Sequence, residues 1–230
     1  AFCVALRYDS ISEGASLGLQ MGLPRAAFNV LAESFETDTE AFASPYNATL
    51  PAYHSAFPDT DGPFGSLGSF YEAEPRNGSF ETNPPFTERD LERTAEKVLY
   101  WLDRTSDTTF VVVMPAWDDA VGVIALSEGG AADDKGFVAH PRLHLRSGRH
   151  LYRRGNTNDE RALKRSSAGT FVFFLQNAGA AARRPVTPEA VRRFRRAFET
   201  GRRPPKTRKK KKNRKPEGRT SAKRDSVGTR

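Results

Sequence analysis

Residues 78–115, GSFETNPPFTERDLERTAEKVLYWLDRTSDTTFVVVMP, hold three elements in a row. Gly78-Ser79-Phe80-Glu81-Thr82 reads as a strand running into Asn83-Pro84-Pro85-Phe86, where proline has no N–H to continue a ladder. Thr87 is a good helix N-cap with Asp90 three residues on, because its hydroxyl can accept an orphan N–H of the first turn. Leu91, Ala95, Val98, Leu99 and Leu102 then make one apolar face up to Asp103. Phe110-Val111-Val112-Val113-Met114-Pro115 is a continuous apolar run rich in valine, the pattern of a strand buried on both faces. Strand, turn, helix, strand is a βαβ unit, so the chain is predicted to be α/β.

Working outward, residues 1–8 are apolar but too short for periodicity to choose helix or strand. Over 25–35, Phe28, Leu31 and Phe35 share one helical face. Ala41-Phe42-Ala43 is a short strand ended by Ser44-Pro45. Residues 55–79 form a long punctuated loop with Gly62, Gly65 and Gly68, and its aromatic content argues for order. That loop is expected to be shaped around a cofactor or to be a structural turn. Residues 118–135, acidic and rich in Gly and Ala, read as a loop. Thr170-Phe171-Val172-Phe173-Phe174-Leu175 is another buried strand. A last helix runs from Thr187 and Pro188, with Val191, Phe194 and Phe198 inward and Gly201 as its stop. The predicted organisation is one domain over 1–201 and a disordered Lys/Arg-rich tail over 202–230.

The 230 residues suffice for one domain with a tail. The net charge of +8 is unevenly spread: 7 Lys and Arg face 22 Asp and Glu in 1–134, 9 face 2 in 135–182, and 20 face 4 in 183–230. An acidic body thus carries a basic end. Cys3 is the sole cysteine, which excludes an internal disulfide and fits a reducing compartment. No run approaches the roughly 18 apolar residues of a membrane span, and no signal-peptide pattern opens the chain, so a soluble protein without a membrane partner is expected. A start at Ala1 rather than Met fits a fragment of something longer. His140, His144 and His150 lie among Arg142, Arg146, Arg149, Arg153 and Arg154; the spacing suits phosphate or RNA contact, or a solvated basic face, better than a metal, and no metal site is predicted. Lys209 to Lys212 read as a nuclear localisation signal or an RNA-binding arm.

Asn83-Pro84-Pro85-Phe86 carries the sharpest chemistry. A pattern of Asp or Asn, Pro, Pro and an aromatic residue at a strand end is the signature of amino-methyltransferases that use S-adenosylmethionine. The exocyclic amine of a base is a poor nucleophile because its lone pair is delocalised into the ring. An Asn side-chain oxygen and the next proline carbonyl can each accept one N–H of the amine and so aim that lone pair. Proline fixes the backbone, and Phe86 offers a ring for stacking. The bland alternative is a strand-ending turn. Ligands of α/β sheets bind beyond the carboxyl ends of the strands, which is where this motif falls.

Four blocks, in order, extend the signal: Phe42-Ala43-Ser44-Pro45-Tyr46-Asn47; residues 53–66, YHSAFPDTDGPFGS; Gly78 through Phe86; and Phe174-Leu175-Gln176-Asn177. Together they resemble the phosphorylated CTD-interacting factor family, cap-specific adenosine N6-methyltransferases, over roughly residues 4–200. The resemblance implies a Rossmann-like S-adenosylmethionine-dependent methyltransferase that acts on N6 of 2′-O-methyladenosine beside the m7G cap of mRNA, in the nucleus. It implies that Asn83, Pro84, Pro85 and Phe86 bind the cofactor and the target amine. It also implies that Glu88 and the loop Trp117, Asp118, Asp119, Ala120 and Val121 contact the cap. A carboxylate and an indole suit the cationic m7G ring, although Glu88 also suits a helix N-terminus and Trp117 a core. Animal members follow the matching tryptophan with a basic residue, an acidic residue and two prolines, and Asp118-Asp119-Ala120-Val121 departs from that. The family's upstream helical region and the WW module that reads the phosphorylated C-terminal domain of RNA polymerase II are expected to lie outside this chain. Two further readings stay open: an adenine N6-methyltransferase acting on DNA or internal RNA, and a catalytically degenerate RNA- or polymerase-associated binding module.

Overall fold

The computed structural model describes residues 2–12, 21–154, 162–202 and 204. Along the chain run α1 (Phe2–Ser12), α2 (Arg25–Phe35), β1 (Thr39–Ala43), β2 (Ala52–Ser55), α3 (Pro58–Asp61), β3 (Gly78–Thr82), α4 (Glu88–Arg104) and β4 (Thr108–Pro115). There follow α5 (Val121–Leu126), α6 (Ala131–Asp134), β5 (Val138–Leu145), β6 (Leu151–Arg153), β7 (Leu163–Arg165), β8 (Thr170–Gln176), α7 (Ala178–Arg183) and α8 (Pro188–Thr200). The tail expected to be disordered lies outside the described residues from 205 onward.

A six-stranded sheet has the order β2-β1-β3-β4-β8-β5. β2, β1, β3 and β4 are mutually parallel, and β8 is antiparallel to both its neighbours. β6 and β7 pair separately. Every residue of β4 and β8 is buried, as their unbroken apolar runs require. The pleat of β4 divides them: Val111 and Val113 join Phe28, Phe35, Phe194 and Phe198 on one face, while Phe110, Val112 and Met114 join Leu91, Val98 and Trp101 on the other. Helices α2 and α8 therefore cover one face of the sheet and α4 and α5 the other.

Thr87 caps α4 as expected, its Oγ1 accepting the Asp90 N–H at 3.1 Å while donating to Asp90 Oδ2 at 2.7 Å. Such a cap contributes about 1 kcal/mol. Trp101 is fully buried, its ring 5.1 Å from Phe80 and 5.2 Å from Phe70.

Three sequence expectations need correction. Residues 118–135 are not a loop throughout but carry α5 and α6, helices of six and four residues and so too short to show periodicity. Gly122 makes this possible, since a Cβ there would sit 2.3 Å from the Leu91 carbonyl oxygen and push α5 off the first turns of α4. Within 55–79, Ser55 ends β2 and residues 58–64 are helical, with Gly65 and Gly68 at φ +95° and +90°, where a side chain would be strained. The basic 135–165 stretch supplies β5, β6 and β7. β5 is an edge strand whose register shifts on both sides of His140, the second shift spanning Pro141, so its pattern is broken.

The chain leaves β1 outward to β2 and returns to lay β3 on the other side of β1. Connections thus diverge from the β1–β3 pair, which makes a topological switch point, and the crevice opens at the carboxyl ends of these two strands.

Candidate active site

A cavity of about 450 Å³ fills that crevice, the size range of small-molecule sites. Its walls include Tyr8 from α1, Glu40 from β1, Ser44 just past β1, Ser55 at the end of β2, and Glu81 and Asn83 from β3 and its extension. Asn83 is fixed by its Nδ2, which donates to the Met21 carbonyl at 2.8 Å. Only the amide nitrogen can donate to a carbonyl, so Oδ1 is left as an acceptor. That Oδ1 is buried and has no partner. A buried acceptor left unmet costs about 1–3 kcal/mol, which a ligand N–H would recover.

The rest of the motif divides. Pro85 lines the cavity, and its carbonyl accepts the Thr87 N–H at 2.9 Å. Pro84 is buried, and its carbonyl accepts no backbone N–H among the described residues. Phe86 does not line the cavity; it packs between the two core clusters with its ring edge-on to Tyr152 at 6.5 Å. The cavity wall is instead aromatic through Tyr8, Phe28, Phe42, Phe70 and Tyr71.

Glu88 is exposed as the first residue of α4. Trp117 is 38% exposed in the turn after β4, and Asp118 and Asp119 are exposed beside it. Asp118 accepts from Arg142 at 2.7 Å. Ala120 is buried as the N-cap of α5, and Val121 is exposed. None of these lines the cavity. They still lie at the same edge of the sheet, because β3 and β4 are parallel and Gly122 presses on Leu91. The glycines of 62–68 are not wall residues either; Ser69, Phe70 and Tyr71, which follow them, are.

Sequence reasoning missed the charged floor. Glu40 and Glu81 are cross-strand partners on β1 and β3, 3% and 1% exposed. Glu40 Oε1 accepts the N–H groups of Thr49 and Leu50. Burial pushes its carboxyl up to about 7, against those N–H groups and Arg153. Burial, with Glu40 beside it, holds the Glu81 carboxyl well above the usual range, and Arg153 opposes that. Arg153, itself 1% exposed, donates to the Asn47 carbonyl and, at 2.8 Å, to Thr49 Oγ1. Its backbone pairs with Gly22 in both directions, at 2.8 and 3.1 Å. The available signal was a glutamate inside each of two short, largely buried strands, TEAFA and GSFET.

At the rim the Arg93 guanidinium lies 3.9 Å over the Tyr71 ring, and burial pushes the Tyr71 hydroxyl up to about 12. Tyr8 donates to the buried Asp61 at 2.6 Å, which fastens α1 over the cavity. Arg153 and His150 leave the predicted basic face. His150 is wholly buried, with Nε2 2.9 Å from Thr170 Oγ1, and burial lowers its basicity. Among the described residues, no three His, Cys, Asp or Glu side chains converge as a metal site.

His54, 3% exposed, is buried with its ring beside the Gly68 backbone, which favours its charged form only weakly. Burial, with Arg76 and Lys97 nearby, pushes its pKa down to about 4. A group depressed in the folded state takes up a proton first in the unfolded chain, so stability is lost as pH falls from about 6.5 toward 4. His54→Leu should therefore lose about 2 kcal/mol less than the parent between pH 7.5 and pH 5 in urea denaturation. Equal losses in the two proteins would refute this account of His54.

A family profile described as the phosphorylated CTD interacting factor 1 WW domain matches residues 1–173. The matched stretch ends inside β8 and takes in the sheet strands and helices before it. Two curated relatives, from Mus musculus and Homo sapiens, are both named mRNA (2'-O-methyladenosine-N(6)-)-methyltransferase. Each is 34% identical over 206 residues, covering 86% of this chain and 28% of the relative. The chain thus spans less than a third of the length of these relatives.

Proposed function

Because the chain belongs to the phosphorylated CTD interacting factor 1 family, we propose that its cleft transfers methyl from S-adenosylmethionine to N6 of 2′-O-methyladenosine next to an m7G cap. The observation that carries this reading is Asn83, whose Oδ1 is held buried and unpartnered at the switch point of the sheet. The sheet, parallel except for β8 among the strands from β2 to β8, is compatible with a Rossmann-like methyltransferase.

Asn83 Oδ1 accepts one N–H of the adenine amine and the Pro84 carbonyl the other, which draws the lone pair out of the ring and orients it. Pro85 and the aromatic wall exclude water, and Phe86 braces the turn from behind through Tyr152. When bound, S-adenosylmethionine supplies a methyl to that nitrogen, the S–C pair staying on sulfur while the amine sheds a proton to water. The residues act by positioning, worth several orders of magnitude in rate when reacting atoms are held at contact distance. Glu88 and the Trp117–Val121 loop, at the same edge, take the cap: the carboxylate meets the N1/N2 edge of m7G and the indole its cationic face. Capped mRNA is the substrate, the phosphorylated C-terminal domain of RNA polymerase II a partner of the longer protein, and the basic run 206–215 an address to the nucleus.

Methyl transfer to an m7G-capped RNA opening with 2′-O-methyladenosine, run beside the same RNA without its cap, tests the reading. Product is expected with the capped RNA alone. Equal product from both would move the activity to internal RNA or DNA. A folded protein that binds no S-adenosylmethionine by calorimetry would be a binding module instead.

A further inference from the structure

Charges under the cavity do not balance. Glu40 and Glu81 sit side by side on β1 and β3, both line the cavity, and among the described residues a single guanidinium, Arg153 of β6, bears on the two. Glu40 is committed to the Thr49 and Leu50 N–H groups. Glu81 differs, being 1% exposed with an Oε1 that has no hydrogen-bond partner. Other ionisable groups around the cavity are engaged elsewhere. Tyr8 of α1 bonds Asp61, Tyr152 of β6 bonds Thr170, Asp90 of α4 accepts the Thr87 hydroxyl, and Arg93 lies over Tyr71 at the rim. Among the described residues one buried carboxylate therefore lacks a counter-charge of its own, and a buried unpaired charge is costly.

We propose that Glu81 is the residue that recognises positive charge on the methyl donor. This deepens the methyltransferase reading and rests on it. S-adenosylmethionine carries two cationic groups, a sulfonium and an α-ammonium, while S-adenosylhomocysteine, its product after transfer, keeps only the ammonium. Without a cation in the cavity, burial beside Glu40 disfavours the ionised form of Glu81. When a cation enters, Glu81 ionises against it and the proton leaves to solvent, so the floor becomes two anions facing two cations. Glu81 lies two residues before Asn83, on the strand that runs into it, and both line one cavity, so the charge it reads belongs to the ligand whose methyl Asn83 serves.

The test is calorimetric binding at pH 7.5 of S-adenosylmethionine, S-adenosylhomocysteine and 5′-methylthioadenosine, which has neither charge, in phosphate and in Tris. The wild type is expected to release protons on binding S-adenosylmethionine, seen as a buffer-dependent enthalpy. Glu81→Gln should abolish that release and compress the affinity ladder by about tenfold, a loss of roughly one charge interaction. Compression between the first two ligands assigns the sulfonium, and compression between the last two assigns the ammonium. Unchanged ratios in a folded Glu81→Gln overturn the inference. Should that variant not fold, a buffer-independent enthalpy in the wild type does the same. If the folded wild type binds none of the three, the methyltransferase reading itself falls, and this inference with it.

Discussion

Asn83→Ala is expected to slow methyl transfer by about a hundred- to a thousandfold while leaving the protein folded. The loss comes from the removed Oδ1, which no neighbour replaces: Pro84 supplies the other acceptor, and the turn is held by the Thr87 N–H to the Pro85 carbonyl. Stability should change little, since the variant gives up the 2.8 Å bond to the Met21 carbonyl but also discards a buried acceptor without a partner. These effects are each about 1 kcal/mol and opposite in sign. Single-turnover rates beside a thermal melt check both halves. A folded variant with near-normal transfer would refute the role given to Asn83.

The second large effect is on stability. Arg153→Met should cost about 3–5 kcal/mol at pH 7.5, because it leaves Glu40 and Glu81 buried with no cation. The sign of its pH dependence follows from the raised carboxyls. Losing the guanidinium raises them further, and a group raised in the folded state contributes fully only below its unfolded value of about 4.5, being lost as pH rises. The deficit of Arg153→Met should accordingly shrink from pH 7.5 to pH 5 in urea denaturation. Adding Glu81→Gln should restore part of it. A deficit that is the same at both pH values, or untouched by Glu81→Gln, would mean that Arg153 acts by packing alone.

Much of this arrangement was legible from local pattern. α2, β3 and the extent of α8 follow from apolar spacing, caps and a terminal glycine, and the βαβ reading of 78–115 placed Asn83 where the crevice opens. The failures share one cause. β2, β6 and β7 are three or four residues long, α5 and α6 are little longer, and such pieces form because larger neighbours receive them. The cavity floor was hidden for a related reason. A glutamate inside a strand breaks the apolar pattern, and its counter-ion, Arg153, is supplied from over a hundred residues away from Glu40, out of a segment whose charge suggests a solvated surface. Phe86 shows the limit of motif reasoning: its chemistry suits stacking on a base, yet its ring already has apolar neighbours on both sides.

The pairing of Gly22 with Arg153, beside the bond from Asn83 to Met21, also governs when the cleft can exist. A ribosome that has delivered β4 has released Asn83 through Phe86, but not the strand that anchors the cavity wall and sets Arg153 against its floor. Closure is a long-range event, entropically expensive and late on any folding route. The growing chain therefore cannot complete this cavity until β6 has emerged.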